Sequence, residues 1–205
     1  MKILNIKKYP RFKNHFKIMF DDDKSIIAEA DTIVKFNLKK DLEIDDEQFK
    51  RIEKFSNSNK IMSYAFYLIS KKMFSKKSLE DRLLSKGFSK EDISKVILRF
   101  SELNYLNDEV FAQNLISYLQ KKCKGRYYIE NELKQHNIDI KILRQFTDNT
   151  SQYGEIIAIM KKRYPKFNNK DMSETKKIAS FFLRRGFLSE DIAKAFRKYG
   201  TDIEL

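Results

Sequence analysis

Five glycines and two prolines in 205 residues are few for a chain of many strands and tight turns, and ordinary for one built from helices. The single cysteine, Cys123, leaves no internal disulfide. No Cys/His group has zinc-ligand spacing, so a reducing compartment and no structural metal are expected. The two histidines, His15 and His136, lie in different parts of the chain with no serine or cysteine motif to serve. There is no Walker-type glycine loop and no HExxH, so neither enzymatic activity nor a cofactor is expected. Asp21-Asp22-Asp23 lacks the glycine and the following bidentate Glu of a calcium loop and reads as a turn. No run approaches the ~18–20 continuous apolar residues of a membrane span. Polar residues interrupt Met1–Lys8 too early for a signal-peptide core. A soluble, cytoplasmic chain with no membrane partner is the expectation.

Hydrophobic residues make up 41% and charged residues 35%, enough apolar material for a core beneath a heavily charged surface. The formal net charge is +13 and the pI about 9.6, a field that attracts nucleic acid or an acidic protein surface. An AT-rich genome would also raise lysine content, but it would do so evenly. Here residues 60–205 carry 29 basic against 18 acidic residues, and residues 1–59 only 13 against 11.

Short alternating runs, Ile3-Leu4-Asn5-Ile6, His15–Phe20 and Ser25–Ala28, predict a small antiparallel sheet, with Asp21–Lys24 as the turn of a hairpin. Asp31 can cap a short helix carrying Ile33, Val34 and Phe36. Asp45 or Asp46 can cap another carrying Phe49, Ile52 and Phe55. Ser56-Asn57-Ser58-Asn59 reads as a linker and as the best domain boundary.

Beyond it the sequence repeats. Leu79, Leu83, Gly87-Phe88, Glu91-Asp92-Ile93, Val96 and Phe100 recur, offset by 99, as Ile178, Phe182, Gly186-Phe187, Glu190-Asp191-Ile192, Ala195 and Tyr199. A middle copy, offset by 50, has Ile129, Leu133, Asn137-Ile138, Leu143 and Phe146. Gly, Asn and Gly share one slot, and these residues tolerate the left-handed conformation that ends a helix. An amphipathic helix precedes each copy, bearing Tyr64, Ala65 and Leu68, then Phe111, Ala112, Leu115 and Leu119, then Ile156, Ile157 and Met160. The predicted fold is mainly α, with tandem three-helix, helix-turn-helix-like repeats in an elongated, curved array. A small N-terminal β-sheet and helix module precedes the array. The expected boundaries are 1–56 for that module and 57–107, 108–149 and 150–205 for the repeats. Such an array needs no second copy to cover its core, so a monomer is expected.

Basic residues fall at the same corner of each repeat. The first has Lys71, Lys72, Lys76, Lys77 and Arg82; the second has Lys121, Lys122, Lys124 and Arg126; the third has Lys161, Lys162, Arg163, Lys176, Lys177, Arg184 and Arg185. One such cluster is explained by the favourable interaction of cations with a helix C-terminus. Three aligned clusters predict a continuous stripe for phosphate backbones. Phe74, Tyr127, Tyr128 and Tyr164 punctuate it and could stack on unpaired bases, with Tyr127 the first choice for an exposed ring. A duplex-reading helix-turn-helix regulator fits less well. Its recognition helix offers its N-terminal turn to DNA, and here those turns carry Glu91-Asp92, Asp139 and Glu190-Asp191.

Taken in order, several segments resemble the RecX family over essentially the whole chain. They are Leu79…Leu83…Gly87-Phe88…Ile93; Asn104-Tyr105-Leu106-Asn107-Asp108 leading to Phe111-Ala112; Lys124-Gly125-Arg126…Ile129…Leu133; and Lys176…Phe182-Leu183-Arg184-Arg185-Gly186-Phe187. The N-terminal sheet followed by Leu38–Ile44 resembles the extension of longer Gram-positive members. Asn137 replaces a common Gly, and Pro165–Met172 is an insertion; neither touches the basic corners. The resemblance implies a regulator, most often an inhibitor, of the RecA recombinase in homologous recombination, DNA repair and the SOS response. It would lie in the groove of the RecA–single-stranded DNA filament and limit filament growth, ATP hydrolysis and strand exchange. The composition alone also fits a general module for single-stranded or duplex DNA with no recombinase partner.

Overall fold

The computed structural model describes residues 1–10, 14–146, 152–167 and 171–201, which form two compact units, Met1–Leu106 and Asn107–Leu205. Unit 1 opens with β1 (Ile3–Lys8), β2 (His15–Phe20) and β3 (Ser25–Glu29), an antiparallel sheet in the order β1-β2-β3. The expected sheet and its acidic turn are both present. Ile18 pairs with Ile6 on one side and Ile26 on the other, and Phe16 pairs with Ala28. Strand alternation therefore puts Ile18, Phe20, Ile26 and Ala28 on one buried face, closed by Leu38, Ile44 and Ile52.

Two expectations for this region are corrected. Helix α1 (Ala30–Lys35) starts after Glu29, so Asp31 lies in its first turn and does not cap it. Helix α2 (Asp46–Ile69) is continuous over 24 residues and runs through Ser56-Asn57-Ser58-Asn59, which is therefore no linker. Ser and Asn are only weakly unfavourable inside a helix, and tertiary contacts override that preference. Ser56 is buried and its hydroxyl donates to the Ile27 carbonyl at 3.1 Å. Asp45 does cap α2 as expected: its Oδ1 accepts from Gln48 N–H at 2.7 Å, and Gln48 Oε1 accepts from Asp45 N–H at 3.1 Å. Ile52 of α2 joins the sheet's core, while Ile61, Ala65 and Leu68 join the next one, so one helix serves two cores.

That second core belongs to the first repeat, completed by α3 (Lys76–Leu84) and α4 (Lys90–Glu102). Unit 2 holds α5 (Asp108–Lys121), α6 (Arg126–Gln135) and α7 (Lys141–Phe146), then α8 (Tyr153–Arg163), α9 (Met172–Arg184) and α10 (Ser189–Thr201). The fold class is as expected, three helices in each of three copies after a small sheet. Leu79, Leu83, Ile93, Val96 and Phe100 are buried, as are Ile129, Leu133, Ile138 and Leu143, and Ile178, Phe182, Phe187, Ile192, Ala195 and Tyr199. Phe146 lies outside the described side chains. The shared slot has the predicted left-handed backbone, with φ of 85° at Gly87, 55° at Asn137 and 84° at Gly186.

Gly186 has a second, steric reason to be glycine. A Cβ there would stand 2.4 Å from Tyr128 N, and one on Gly125 would stand 2.4 Å from Phe187 N. The two backbones touch, and they do so through hydrogen bonds: Gly125 N–H donates to Arg185 O at 2.8 Å and Tyr127 N–H to Gly186 O at 3.0 Å. Gly125 caps α6 without a side chain. Carbonyls from the end of α9, with Gln152 Oε1 accepting from Arg126 N–H at 2.7 Å, take over the role of a capping residue. The Arg185 guanidinium answers in the other direction, donating to Lys122 O at 2.7 Å and Cys123 O at 3.4 Å beyond the end of α5.

Candidate nucleic-acid interface

In the first repeat, Lys71 and Lys72 follow the end of α2 and are exposed, as are Lys76 and Arg82. Lys71 Nζ lies 5.6 Å from the Tyr67 ring centroid, and Lys72 Nζ 4.7 Å from that of Phe74. Lys77 is committed to its own helix. It reaches Asp81 at 2.7 Å and Glu80 at 3.7 Å, and the Asp81 hydrogen bond raises its pKa. Ser75 caps α3 through Ser78, which leaves Lys76 and Lys77 in the first turn. A cation there works against the helix dipole, so helix stability does not account for its placement.

The second repeat places Lys121 and Lys122 at the end of α5, both exposed, with Lys122 Nζ 5.7 Å from the Tyr118 centroid. Lys124 sits 3.7 Å over Tyr128, and Arg126 Nε bonds Glu130 at 2.9 Å. Tyr127 is 59% exposed, and Tyr128 packs partly against the core, as the 100° turn between neighbours requires. The Glu132 charge and hydrogen bond push the Tyr128 pKa up.

Lys161, Lys162 and Arg163 form the exposed last turn of α8, and Lys176, Lys177 and Arg184 are exposed on α9. The Arg163 guanidinium lies 4.8 Å from the Phe181 centroid and that of Arg185 4.6 Å from the same ring. Arg185 is half-buried, and its bonds to Lys122 O and Cys123 O hold the second and third repeats together. Phe74 and Tyr164 are half-buried edges of their cores.

A shared arrangement follows. In every repeat, a cation at or just beyond the end of the first helix lies over an aromatic ring, a contact worth about 0.5–1 kcal/mol at an exposed site. The predicted cations thus divide: Lys77, Arg126 and Arg185 serve internal partners, Lys124 is half-buried over Tyr128, and Lys71, Lys72, Lys76, Arg82, Lys121, Lys122, Lys161, Lys162, Arg163, Lys176, Lys177 and Arg184 present exposed charge. Residue-by-residue reading missed Tyr67 and Tyr118, each 57% exposed beneath its lysine. The signal was a Tyr followed four places on by Lys at the end of an amphipathic helix.

At the starts of the third helices, Asp139 and Asp191 are engaged by backbone N–H groups and Asp92 by the Ser89 hydroxyl, while Glu91 and Glu190 are exposed. Ser89 caps α4 by accepting from Asp92 N–H at 3.1 Å and donates to Asp92 Oδ2 at 2.8 Å. Asp139 accepts from Lys141 N–H at 2.8 Å, and the buried Asp191 from Gln152 N–H at 3.1 Å. Acidic groups engaged in capping make a poor phosphate surface. Among the described residues no group of three or more His, Cys, Asp or Glu could hold a metal, and no helix is long and apolar enough to cross a membrane.

Fold and surface together define a tandem three-helix repeat protein with cationic helix ends, preceded by a β-sheet module. Regulatory protein RecX of Caldanaerobacter subterraneus subsp. tengcongensis is 25% identical over 88% of this chain and 91% of its own length. The Bacillus subtilis protein of the same name is 29% identical over 94% of this chain and 75% of its own. A crystal structure of regulatory protein RecX superposes with a TM-score of 0.65, at 18% identity, over 96% of this chain and 98% of that one. The structure of RecX from Lactobacillus salivarius gives 0.57 at 21% identity, over 70% of this chain and 96% of that one. No protein-family profile matches the chain. Over most of its length the chain is similar to regulatory proteins named RecX, and it shares their fold.

Proposed function

We propose that the protein regulates the RecA recombinase, most often as an inhibitor, by binding within the RecA–single-stranded DNA filament. The observation that carries this reading is the recurrence, in all three repeats, of exposed cations over aromatic rings at the end of the first helix. Whole-length similarity to regulatory proteins named RecX supports it. Lys71, Lys72, Lys121, Lys122, Lys161, Lys162 and Arg184 face DNA phosphate or acidic recombinase surface. Lys76, Arg82, Lys124, Arg163, Lys176 and Lys177 flank them, and Tyr127 offers a ring to an unpaired base. The repeats engage neighbouring filament subunits, so each contact raises the effective concentration of the next. Bound in this way, the protein limits filament extension, ATP hydrolysis and strand exchange.

The test is a titration into RecA filaments on single-stranded DNA with ATP, read as ATP hydrolysis at physiological salt. Substoichiometric loss of hydrolysis is expected, and Lys161→Glu with Lys162→Glu should weaken it severalfold. Unchanged hydrolysis together with firm binding to bare DNA refutes a recombinase partner and leaves a plain DNA-binding module.

A further inference from the structure

Unit 1 contains a cleft of about 550 Å³, within the ~300–1,000 Å³ usual for small-molecule sites. None of its lining residues belongs to the basic corners. Its floor is the sheet face opposite the core, where His15 pairs in register with Glu29 and Ile27 lies beside them. Its wall is α2, through Lys60, Ser63 and Tyr64, and its lip is the turn between α3 and α4, through Lys86 and Phe88.

The electrostatics of this cleft are unbalanced. Lys60 is half-buried, and burial holds its pKa below the usual lysine value. Among the described residues its ammonium pairs with no carboxylate and makes one long bond, 3.4 Å to Asn57 Oδ1. The carboxylate that lines the cleft, Glu29, is engaged with His15 at 3.7 Å. A second ammonium, Lys86 Nζ, lies 5.7 Å from the Tyr64 ring centroid. Tyr64 and Phe88 are 6.2 Å apart, tilted by 50°, and form a continuous aromatic wall. The Glu53 and Glu29 charges act on Lys60 from beyond ion-pair distance and offset only part of the cost of its burial, and an incoming anion in contact with it would relieve the rest.

We propose that this cleft binds one nucleotide unit, with its base against Tyr64 and Phe88 and its phosphate between Lys60 and Lys86. An apolar guest would leave Lys60 uncompensated. An acidic side chain would satisfy the ammonium groups but would leave the aromatic wall bare and Ser63 and the His15–Glu29 pair without a role. A base edge uses both, since Ser63 and Glu29 can exchange hydrogen bonds with ring nitrogens and exocyclic amines. The unit can come from a free nucleotide or from a single strand, and the two sources share this chemistry.

The test is lysine protection. The full chain is treated briefly with an amine-acylating reagent, alone or with adenosine monophosphate, a short oligodeoxyadenylate or polyglutamate, and modified sites are read by mass spectrometry. Acylation of Lys60 and Lys86 should fall severalfold with a nucleotide, while exposed Lys54 and Lys90 keep their reactivity. Protection by the mononucleotide identifies a free nucleotide as sufficient; protection by the oligonucleotide alone identifies a strand-borne unit. In Lys60→Gln, protection of Lys86 should disappear while the melting temperature is not lowered. Failure of both nucleotides to protect overturns the proposal, as does equal protection by polyglutamate, which would indicate an acidic protein segment. No recombinase is present in this assay, so its outcome is independent of the regulatory function proposed above.

Discussion

Gly87 and Gly186 occupy the same slot in two repeats with nearly the same φ, 85° and 84°, yet replacing each by alanine should have different consequences. Left-handed backbone costs an L-residue about 1–2 kcal/mol, and both variants incur that cost. At Gly87 nothing among the described residues lies within 4 Å of the added Cβ, so the cost should stop there. At Gly186 the Cβ meets Tyr128 N at 2.4 Å and Tyr128 Cβ at 2.7 Å, and the ends of α9 and α6 must separate. Overpacking of this kind costs about 1–3 kcal/mol. Separation also weakens the bonds from Gly125 N–H and Tyr127 N–H to Arg185 O and Gly186 O, each contributing about 0.5–1.5 kcal/mol net. Gly186→Ala should therefore cost about 2–5 kcal/mol from backbone strain and overpacking, and more with the weakened bonds, against about 1–2 for Gly87→Ala. Urea unfolding followed by circular dichroism gives the totals. Because two compact units can unfold separately, hydrogen exchange at the Gly125 and Tyr127 amides should locate the loss. Equal costs, or unchanged exchange at those amides in Gly186→Ala, would refute the backbone-contact argument.

Adjacent arginines should part company in the same assays. Arg184→Glu should flatten the salt dependence of DNA binding and leave the melting temperature unchanged, whereas Arg185→Gln should lower stability by about 1 kcal/mol, because its bonds to Lys122 O and Cys123 O are lost. Thr32 is fully buried and its hydroxyl has no hydrogen-bond partner among the described residues, so Thr32→Val should be neutral or raise the melting temperature; a clear loss of stability would contradict this. Lys60, with its folded-state pKa lowered by burial, opposes folding while it is charged, and that cost is lifted as pH rises through the folded pKa toward the unfolded value. Lys60→Met should accordingly stabilise the protein at neutral pH, with the gain shrinking in alkaline buffer; a pH-independent difference would rule out the charge as its cause.

Periodicity made most of the fold legible. The buried set Leu79, Leu83, Ile93, Val96 and Phe100, with its copy a fixed distance along the chain, needed only the recurrence of apolar residues and a slot for left-handed backbone. Helix α2 was obscured because local propensity at Ser56–Asn59 points away from a helix, while what keeps it helical is distant in sequence: a hydroxyl on the Ile27 carbonyl and cores on both sides. Within the candidate interface, the positions of the cations were legible and their partners were not. Composition cannot distinguish Arg184, exposed, from Arg185, clasping carbonyls more than sixty residues away. Nor can it reveal that Gly125 is required by Gly186, since nothing local marks two glycines as touching.

The continuity of α2 has a geometric consequence. With about 1.5 Å of rise and 3.6 residues per turn, its 24 residues form a strut about 36 Å long that indexes the β-sheet against the first repeat. Inserting a single residue near Asn57 would advance one end by about 1.5 Å and rotate it by about 100°, carrying Ile52 or Ile61 off its core. Seven inserted residues would nearly restore the phase, to within about 20°, while adding about two turns of length. The N-terminal module is thus phased to the repeats, as teeth on a common shaft are, and tolerance to insertion at this point should depend on helical phase more than on the number of residues added.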